Sequence, residues 1–424
     1  MPDRSFYGWK LLSVLWIVVF VNLAFPFYGS SVVNAAMIDD LGMDRATLGL
    51  IFSLFTLMSG LPGPLIAVCV NRFGARNTLV SGSLLVAGGS VIMATIVSKG
   101  WQAAMAFGFI VAIGVGAGGV MAAQVGLVKW FFRRRALALA ILSSATAVGG
   151  AVAAPLLSKI IESAGGNWRM AWWFVATISA VAAILAQAFV KENPEDLGQL
   201  PDGGAAEDKK EKKKIARKWR GAVHITSEVW AYREALASPA FWFLMVSQMG
   251  ISFGYTVFIA HGVVHLRDLG HSSGASSWAI SMMALAGLLG KGITGAFGDR
   301  IDPRYLWAVF MGLFGIGQLL VVQAATPALL VAVAACLGIG FGGGVVCLAA
   351  VISNYFGTKA FASLSGLAMA INTAMGSITP TLAGWLYDSG YGYQGVFYAI
   401  AVWCAFGACI LFFMRPPSKS IAAA

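Results

Sequence analysis

Charge is what this sequence has least of. Asp, Glu, Lys and Arg make up 11% of its 424 residues, hydrophobic residues make up 58%, and the mean hydropathy is +0.78. A soluble domain carries about 25% charged residues. A chain this short of charge cannot cover a water-facing surface, which excludes a soluble globular protein and points to a bilayer. Period-two alternation of apolar and polar residues is also lacking, which argues against a transmembrane β-barrel. The five cysteines (Cys69, Cys336, Cys347, Cys404, Cys409) lie in apolar runs without CxxC spacing. They read as small packing residues, so neither a disulfide framework nor a metal site is expected. No GxxxxGK[ST] phosphate loop appears. No nucleophile–base pair or metal-ligand set stands in the apolar runs, so an enzyme is not expected, nor any cofactor.

What the sequence does have is long apolar runs. Each run of about 20 residues can span a bilayer. Twelve are read near 9–35, 46–69, 77–98, 102–128, 136–160, 169–190, 239–265, 275–298, 304–325, 327–352, 361–386 and 393–414. The first lacks a small-residue cleavage site and is too long for a signal peptide, so it reads as a retained helix. The expected fold is an all-α integral membrane protein of twelve transmembrane helices. Of the 29 Lys and Arg, only five (Arg45, Lys99, Lys159, Arg169, Arg267) fall in the odd-to-even loops. Lys and Arg accumulate on the cytoplasmic side, so both termini are expected in the cytoplasm, with the chain a multi-pass protein of the cell (inner) membrane. The net charge of +11 is then a topology signal, and no nucleic-acid partner is expected. The lysine run 209–214 reads as a solvated loop touching anionic lipid.

The chain divides in two. Residues 1–190 and 238–424 each hold six runs, and 191–237 is a polar linker expected to be disordered in its first part. Within the linker, "TSEVWAYREAL" (226–236) reads as a short amphipathic helix capped by Thr226 or Ser227. The halves resemble each other. "GGV" at 118–120 before "WF" at 130–131 returns as "GGV" at 343–345 before "YF" at 355–356, Pro155 returns as Pro380, and "NRFGAR" (71–76) as "DRIDPR" (299–304). Parallel repeats of this kind place a substrate between the halves near the bilayer midplane.

These motifs carry a family resemblance. G-x-x-x-D-R followed by a basic residue after helices 2 and 8 is similar to the major facilitator superfamily. It is complete in "GAFGDRIDPR" (Gly295, Asp299, Arg300, Arg304) and degraded in "AVCVNRFGAR", with Ala67 and Asn71 in the glycine and acid positions. "FYGWK" (6–10), "KWFFRRRALALAI" (129–141), "EALASPAFWFLM" (234–245) and a cation on helix 8 resemble the monocarboxylate transporter and oxalate/formate antiporter branch. The resemblance implies two six-helix bundles, and a helix-8 cation, here Lys291, contacting a substrate carboxylate. Relatives often carry an acid or amide one turn earlier, where this chain has Gly287. The oxalate antiporter has a second cation on helix 11, where this chain has Asn372 and no Lys or Arg, which favours monocarboxylates.

Lys291 stands out without the resemblance as well. All 18 Asp and Glu fall in loops or at helix ends, and Lys291 is the one charged side chain deep in a run. It precedes Asp299 by eight residues, about 12 Å along a helix. Burying a cation there costs at least about 2.5–3.5 kcal/mol. Two readings stand open: a structural lysine held by carbonyls where glycines let helices approach, or an ammonium that binds an anion. Weaker candidates for the cavity are Tyr28, Gln124, Tyr255 and Asn372, with Ser143, Ser144, Ser252 and Thr373. Each also reads as interhelical packing. Arg72, Arg76, Asp299, Arg300 and Arg304 are candidates for a cytoplasmic gate, together with the cluster 133–135. His261 and His265, one turn apart near the outer end of helix 7, suit pH sensing. A zinc site with Asp268 would lack fitting ligand geometry.

The expectation is a secondary transporter of a small organic monocarboxylate, coupled to a proton through Lys291 itself, since desolvation disfavours a charged ammonium. The partners are then the anion, the proton and the lipid bilayer, with a monomer as the working state. Carboxylate exchange and a non-transporting sensor on the same fold are the alternatives. A retinal Schiff base at Lys291 is disfavoured by twelve helices in two repeats.

Overall fold

A computed structural model describes residues 6–29, 33, 37, 40–43, 45–203 and 223–418. Every regular element among them is helical. Membrane-spanning backbone must satisfy its own hydrogen bonds, and helices do so within one segment. Helix α1 is Tyr7–Leu23, continued by a π turn Ala24–Tyr28. Helices α2 (45–73) and α3 (75–95) follow. Helix α4 (100–128) contains a π segment, Ala106–Val111, and a break at Gly118–Gly119. Then come α5 (Arg135–Ser163) and α6 (Arg169–Phe189). The second series is α7 (Pro239–Asp268), α8 (Ser273–Phe297), α9 (Pro303–Val322), α10 (327–356), α11 (358–386) and α12 (Gly392–Phe413).

Ten continuous helical stretches are long and apolar enough to cross a membrane. Two of them, Leu50–Thr95 and Pro327–Thr379, are each divided by a glycine, giving twelve spans. Gly74 has φ +88° and ψ 165°, and Gly357 φ +70° and ψ 177°. This extended, positive-φ region is open essentially to glycine alone, so one residue reverses the chain where a polar loop would otherwise be needed.

The residues group into two units. The first comprises 1–133, 141–208 and 365–373; the second comprises 134–140, 209–364 and 374–424. The first unit has an aromatic core in which Phe55 stacks on Phe107 (centroids 4.3 Å apart) and Phe107 meets Trp172 edge-on at 5.5 Å. Its polar ends are tied by residues just beyond α6. Glu192 accepts from the backbone N–H of Ala75 (3.1 Å) and Arg76 (2.7 Å), filling the open donors at the start of α3, and lies 3.6 Å from Lys129 Nζ. Asp202 accepts from Phe132 N–H (3.0 Å) and from Arg133 N–H before α5. Carboxylates at helix N-termini gain from both the orphan donors and the dipole. Residues 191–203 are therefore ordered against the first unit, in contrast to the disorder expected of the linker's first part. The lysine run 209–214 lies outside the described residues.

The second unit is held by a seam of glycines between α8 and α10. A Cβ on Gly290 would collide with the Ile339 carbonyl, one on Gly342 with the Gly287 carbonyl, and one on Gly338 with the Met283 carbonyl. Small residues let helices approach backbone to backbone where lipid supplies no hydrophobic drive. The linker's last part also differs from expectation. Helix forms only over Tyr232–Ala237, and Glu234 accepts from Ala231 N–H at 2.8 Å, so neither Thr226 nor Ser227 is the cap. Residues 223–231 are extended. Thr226 N–H donates to the Asn354 carbonyl (2.8 Å), and Trp230 is buried edge-on against Phe356. Tertiary bonds to the end of α10 override the local amphipathic period.

The two glycine breaks differ in surroundings. A Cβ at Gly74 would collide with the Glu192 carboxylate, whereas one at Gly357 would find its nearest atom 3.6 Å away. Gly357→Ala is expected to cost about 1–3 kcal/mol from backbone strain alone. Gly74→Ala should cost more, because it also displaces the α3 cap. Apparent melting temperatures of the two variants in detergent test this order.

Candidate anion site in the second unit

Lys291 sits on α8 with 6% of its surface exposed. Its own helix sets its direction. Met283, Gly287, Gly290 and Thr294 form the stripe that packs on α10, with Thr294 Oγ1 3.7 Å from Cys347 Sγ. Gly295 and Gly298, on the adjoining stripe, face Ala140, Leu137 and Ala136 at the start of α5. Lys291 lies between these two stripes, on the inward side of α8. The expectation that glycines leave open space beside it holds only in part. Gly290 is closed by α10, whereas a Cβ at Gly287 would have its nearest neighbour 3.5 Å away and one at Gly292 none within 4 Å.

Tyr255 of α7 belongs to the same unit, with its ring stacked on Phe341 of α10 at 3.9 Å. Ser252 is buried one turn away. The other candidates fall in the first unit. Tyr28 ends the α1 π turn, its ring 3.7 Å from where a Gly150 Cβ would stand. Gln124 is buried on α4, and Asn372 is half-buried on α11. Thr373 packs on Gly60, Ser143 is buried, and Ser144 accepts from Trp16 Nε1 (3.0 Å). The sequence did not single out Asn22, fully buried on α1, whose amide donates to Ser83 Oγ (2.7 Å) and the Gly118 carbonyl (3.2 Å). Nor did it single out Gln248 on α7.

The gate candidates are arranged differently from the expected Asp–Arg pairs. Asp299 accepts from the backbone N–H of Ala136 (2.8 Å) and Leu137 (3.2 Å), capping α5. Arg304 lies 3.9 Å from Asp302, donates to the Met414 carbonyl and reaches Tyr305 Oη at 2.6 Å. Arg300 is exposed, and so is Arg72, which sits over the Phe73 ring. Arg76 contributes its backbone N–H to Glu192. From the 133–135 cluster, Arg135 reaches inward to Asn354 Oδ1 (2.9 Å) and the Ser353 carbonyl (3.2 Å). Asp302 is buried and accepts from Tyr355 Oη (3.2 Å), Arg304 N–H (3.1 Å) and His224 N–H (3.4 Å). Burial pushes its carboxyl upward and pushes the neighbouring His224 imidazole downward.

At the other end of α7, His261 Nδ1 is 3.0 Å from Tyr393 Oη, and His265 Nε2 is 3.2 Å from the Val321 carbonyl. Among the described residues no three His, Cys, Asp or Glu are grouped to hold a metal.

A single deep cation on a twelve-helix, twice-repeated frame is the arrangement against which known proteins can be compared. The model of the Major Facilitator Superfamily matches residues 15–270 and again 262–423. The chain belongs to this superfamily and is a membrane transporter. Monocarboxylate transporter 12 of Rattus norvegicus is 23% identical over 98% of this chain and 86% of its own length. Monocarboxylate transporter 2 of Homo sapiens is 22% identical over 96% and 87%. In fold, the human organic anion transporter MFSD10 superposes with a TM-score of 0.69 at 16% identity, covering 97% of this chain and all of that one. The fucose:proton symporter FucP of E. coli gives 0.68 at 12% identity, covering 95% and 97%.

A lysine retained for binding should cost stability. Lys291→Met removes the insertion penalty of about 2.5–3.5 kcal/mol for a deep ammonium and fills a similar volume. The variant is expected to melt higher than wild type in ligand-free detergent solution. A lower melting temperature would make Lys291 part of the scaffold.

Proposed function

We propose that this transporter carries small organic monocarboxylate anions with a proton, by alternating access, across the cell (inner) membrane with both termini cytoplasmic. The observation that carries the reading is Lys291, a buried ammonium on the inward side of α8. The similarity to monocarboxylate transporters supports it. A carboxylate beside Lys291 forms a neutral pair in a site where either charge alone is costly. In this reading the loaded carrier moves with that pair, and the empty carrier returns with the lysine deprotonated, so the lysine's proton is the coupling ion. A lysine that stays charged when empty would instead hold the carrier until a second anion binds, which is exchange.

The remaining candidates take subsidiary parts. Tyr28, Gln124, Tyr255 and Asn372 line the path of the anion. The Asp299 cap on α5, with Arg72, Arg76, Arg300 and Arg304 nearby in sequence or repeat, forms the cytoplasmic gate. His261, bonded to Tyr393 through a ring nitrogen whose role changes on protonation, responds to outer pH together with His265. The chain works as a monomer.

The test is uptake of labelled monocarboxylates into proteoliposomes with and without an inward proton gradient, for wild type and Lys291→Ala. Gradient-stimulated uptake that falls at least about tenfold in the variant is expected. Uptake that needs internal carboxylate and ignores the gradient would establish exchange. Binding without flux would make the protein a sensor, and undiminished uptake by the variant would remove Lys291 from the site.

A further inference from the structure

Helix α10 is a ruler that relates α7 to α8. Gly290 of α8 packs on α10 at Gly343, where an added Cβ would lie 2.7 Å from the Gly343 nitrogen. Gly344, the next residue of α10, packs on α7 at Ile251 (2.6 Å to Cδ1). Lys291 follows Gly290, so Lys291 and Ile251 stand at one level of the unit. One turn further toward the end that holds Pro239 and Phe297, Thr294 meets Cys347. On α7 the corresponding residue is Gln248. Residues 248, 251 and 255 share one helical face at i, i+3 and i+7. Ile251 and Tyr255 both turn that face to α10. Gln248 therefore lies within about one helical pitch, 5.4 Å in depth, of Lys291.

Gln248 is 5% exposed. Its Nε2 donates to Ser252 Oγ at 3.4 Å, and its Oε1 has no hydrogen-bond partner. A buried carbonyl oxygen left unpaired is destabilising, and such groups call for an explanation. Interhelical glue does not supply one here, because that work is done by the adjacent Ser247, whose hydroxyl donates to the Gly407 carbonyl of α12 at 3.2 Å. Gln318, which is also unpaired, differs in position. It presses on Gly254 and so lies on the α9 side of α7, away from the 248–251–255 face.

We propose that Gln248 is a specificity-determining residue. Its free carbonyl oxygen selects monocarboxylates that bring a hydroxyl donor in addition to the carboxylate, which sits at Lys291. The proposal rests on the reading of Lys291 as the carboxylate site and adds the second point of attachment. A depth offset of one turn suits a hydroxyl a few bonds from the carboxylate. A site built to bond a substrate hydroxyl discriminates strongly against the analogue without it, because the protein group is left buried and unpaired.

The experiment measures KM and turnover in proteoliposomes for propionate, 2-hydroxypropionate and 3-hydroxypropionate, with wild type and Gln248→Met. In wild type at least one hydroxy acid is expected to show a KM at least about tenfold below that of propionate. In Gln248→Met that ratio should collapse toward one, through a rise in the hydroxy-acid KM. A wild type that does not discriminate, or a variant that keeps the wild-type ratio, overturns the proposal. If Gln248→Met does not fold, wild type alone decides with 2- and 3-methoxypropionate, which keep the oxygen and lose the donor. Binding as weak as that of propionate supports Gln248 as acceptor, and binding equal to that of the hydroxy acids overturns it. Failure of the underlying reading looks different: no carboxylate is transported at all, or transport of all three acids survives Lys291→Ala.

Discussion

The close approach of α8 to α10 is the constraint on which the second unit depends. Gly287, Gly290, Gly338, Gly342 and Gly343 bring two backbones together where side chains would hold them apart. A seam this tight fixes the rotation of α8, and the rotation decides where residue 291 points. With the seam closed, Lys291 cannot turn toward α10 and is held between the α10 and α5 stripes. The same seam gives α7 and α8 a common level on α10. Packing that looks like plain helix association thereby sets the position of the charge.

The polar ends of the helices follow a second constraint. Chain reversals between α2 and α3 and between α10 and α11 each take a single glycine, so there is little loop to supply caps. Distant carboxylates supply them at three other points: Glu192 at α3, Asp202 before α5 and Asp299 at α5 itself. The acids that looked like solvated linker charge or gate ion pairs act instead on orphan backbone donors. Such caps couple helix ends far apart in sequence, which is where a transporter must tie and untie its structure.

The frame was legible in the sequence because hydropathy over 20 residues is a strong signal, and because the repeats at "GGV" and "DRIDPR" reinforce each other. Lys291 was legible for the same reason: one charge in an apolar run has no statistical company. The single-residue breaks at Gly74 and Gly357 were not, since a glycine in a glycine-rich chain is unremarked until its φ is known. Glu192 and Asp202 were misjudged because their partners are 70 to 117 residues away. The helix expected over 226–236 failed because backbone bonds to Asn354 and Asp302 hold its first half extended. Gln248 escaped notice because its meaning lies in an atom left without a partner, a property of packing that composition does not record.

The most direct test of the account is calorimetric titration of the purified transporter with a small monocarboxylate and with its uncharged primary amide, in wild type and Lys291→Gln. If the ammonium is the anion site, the carboxylate binds saturably to wild type, its amide does not, and the substitution abolishes the difference. Equal carboxylate affinity in wild type and Lys291→Gln would contradict it and leave Lys291 as a structural cation of the α8 seam.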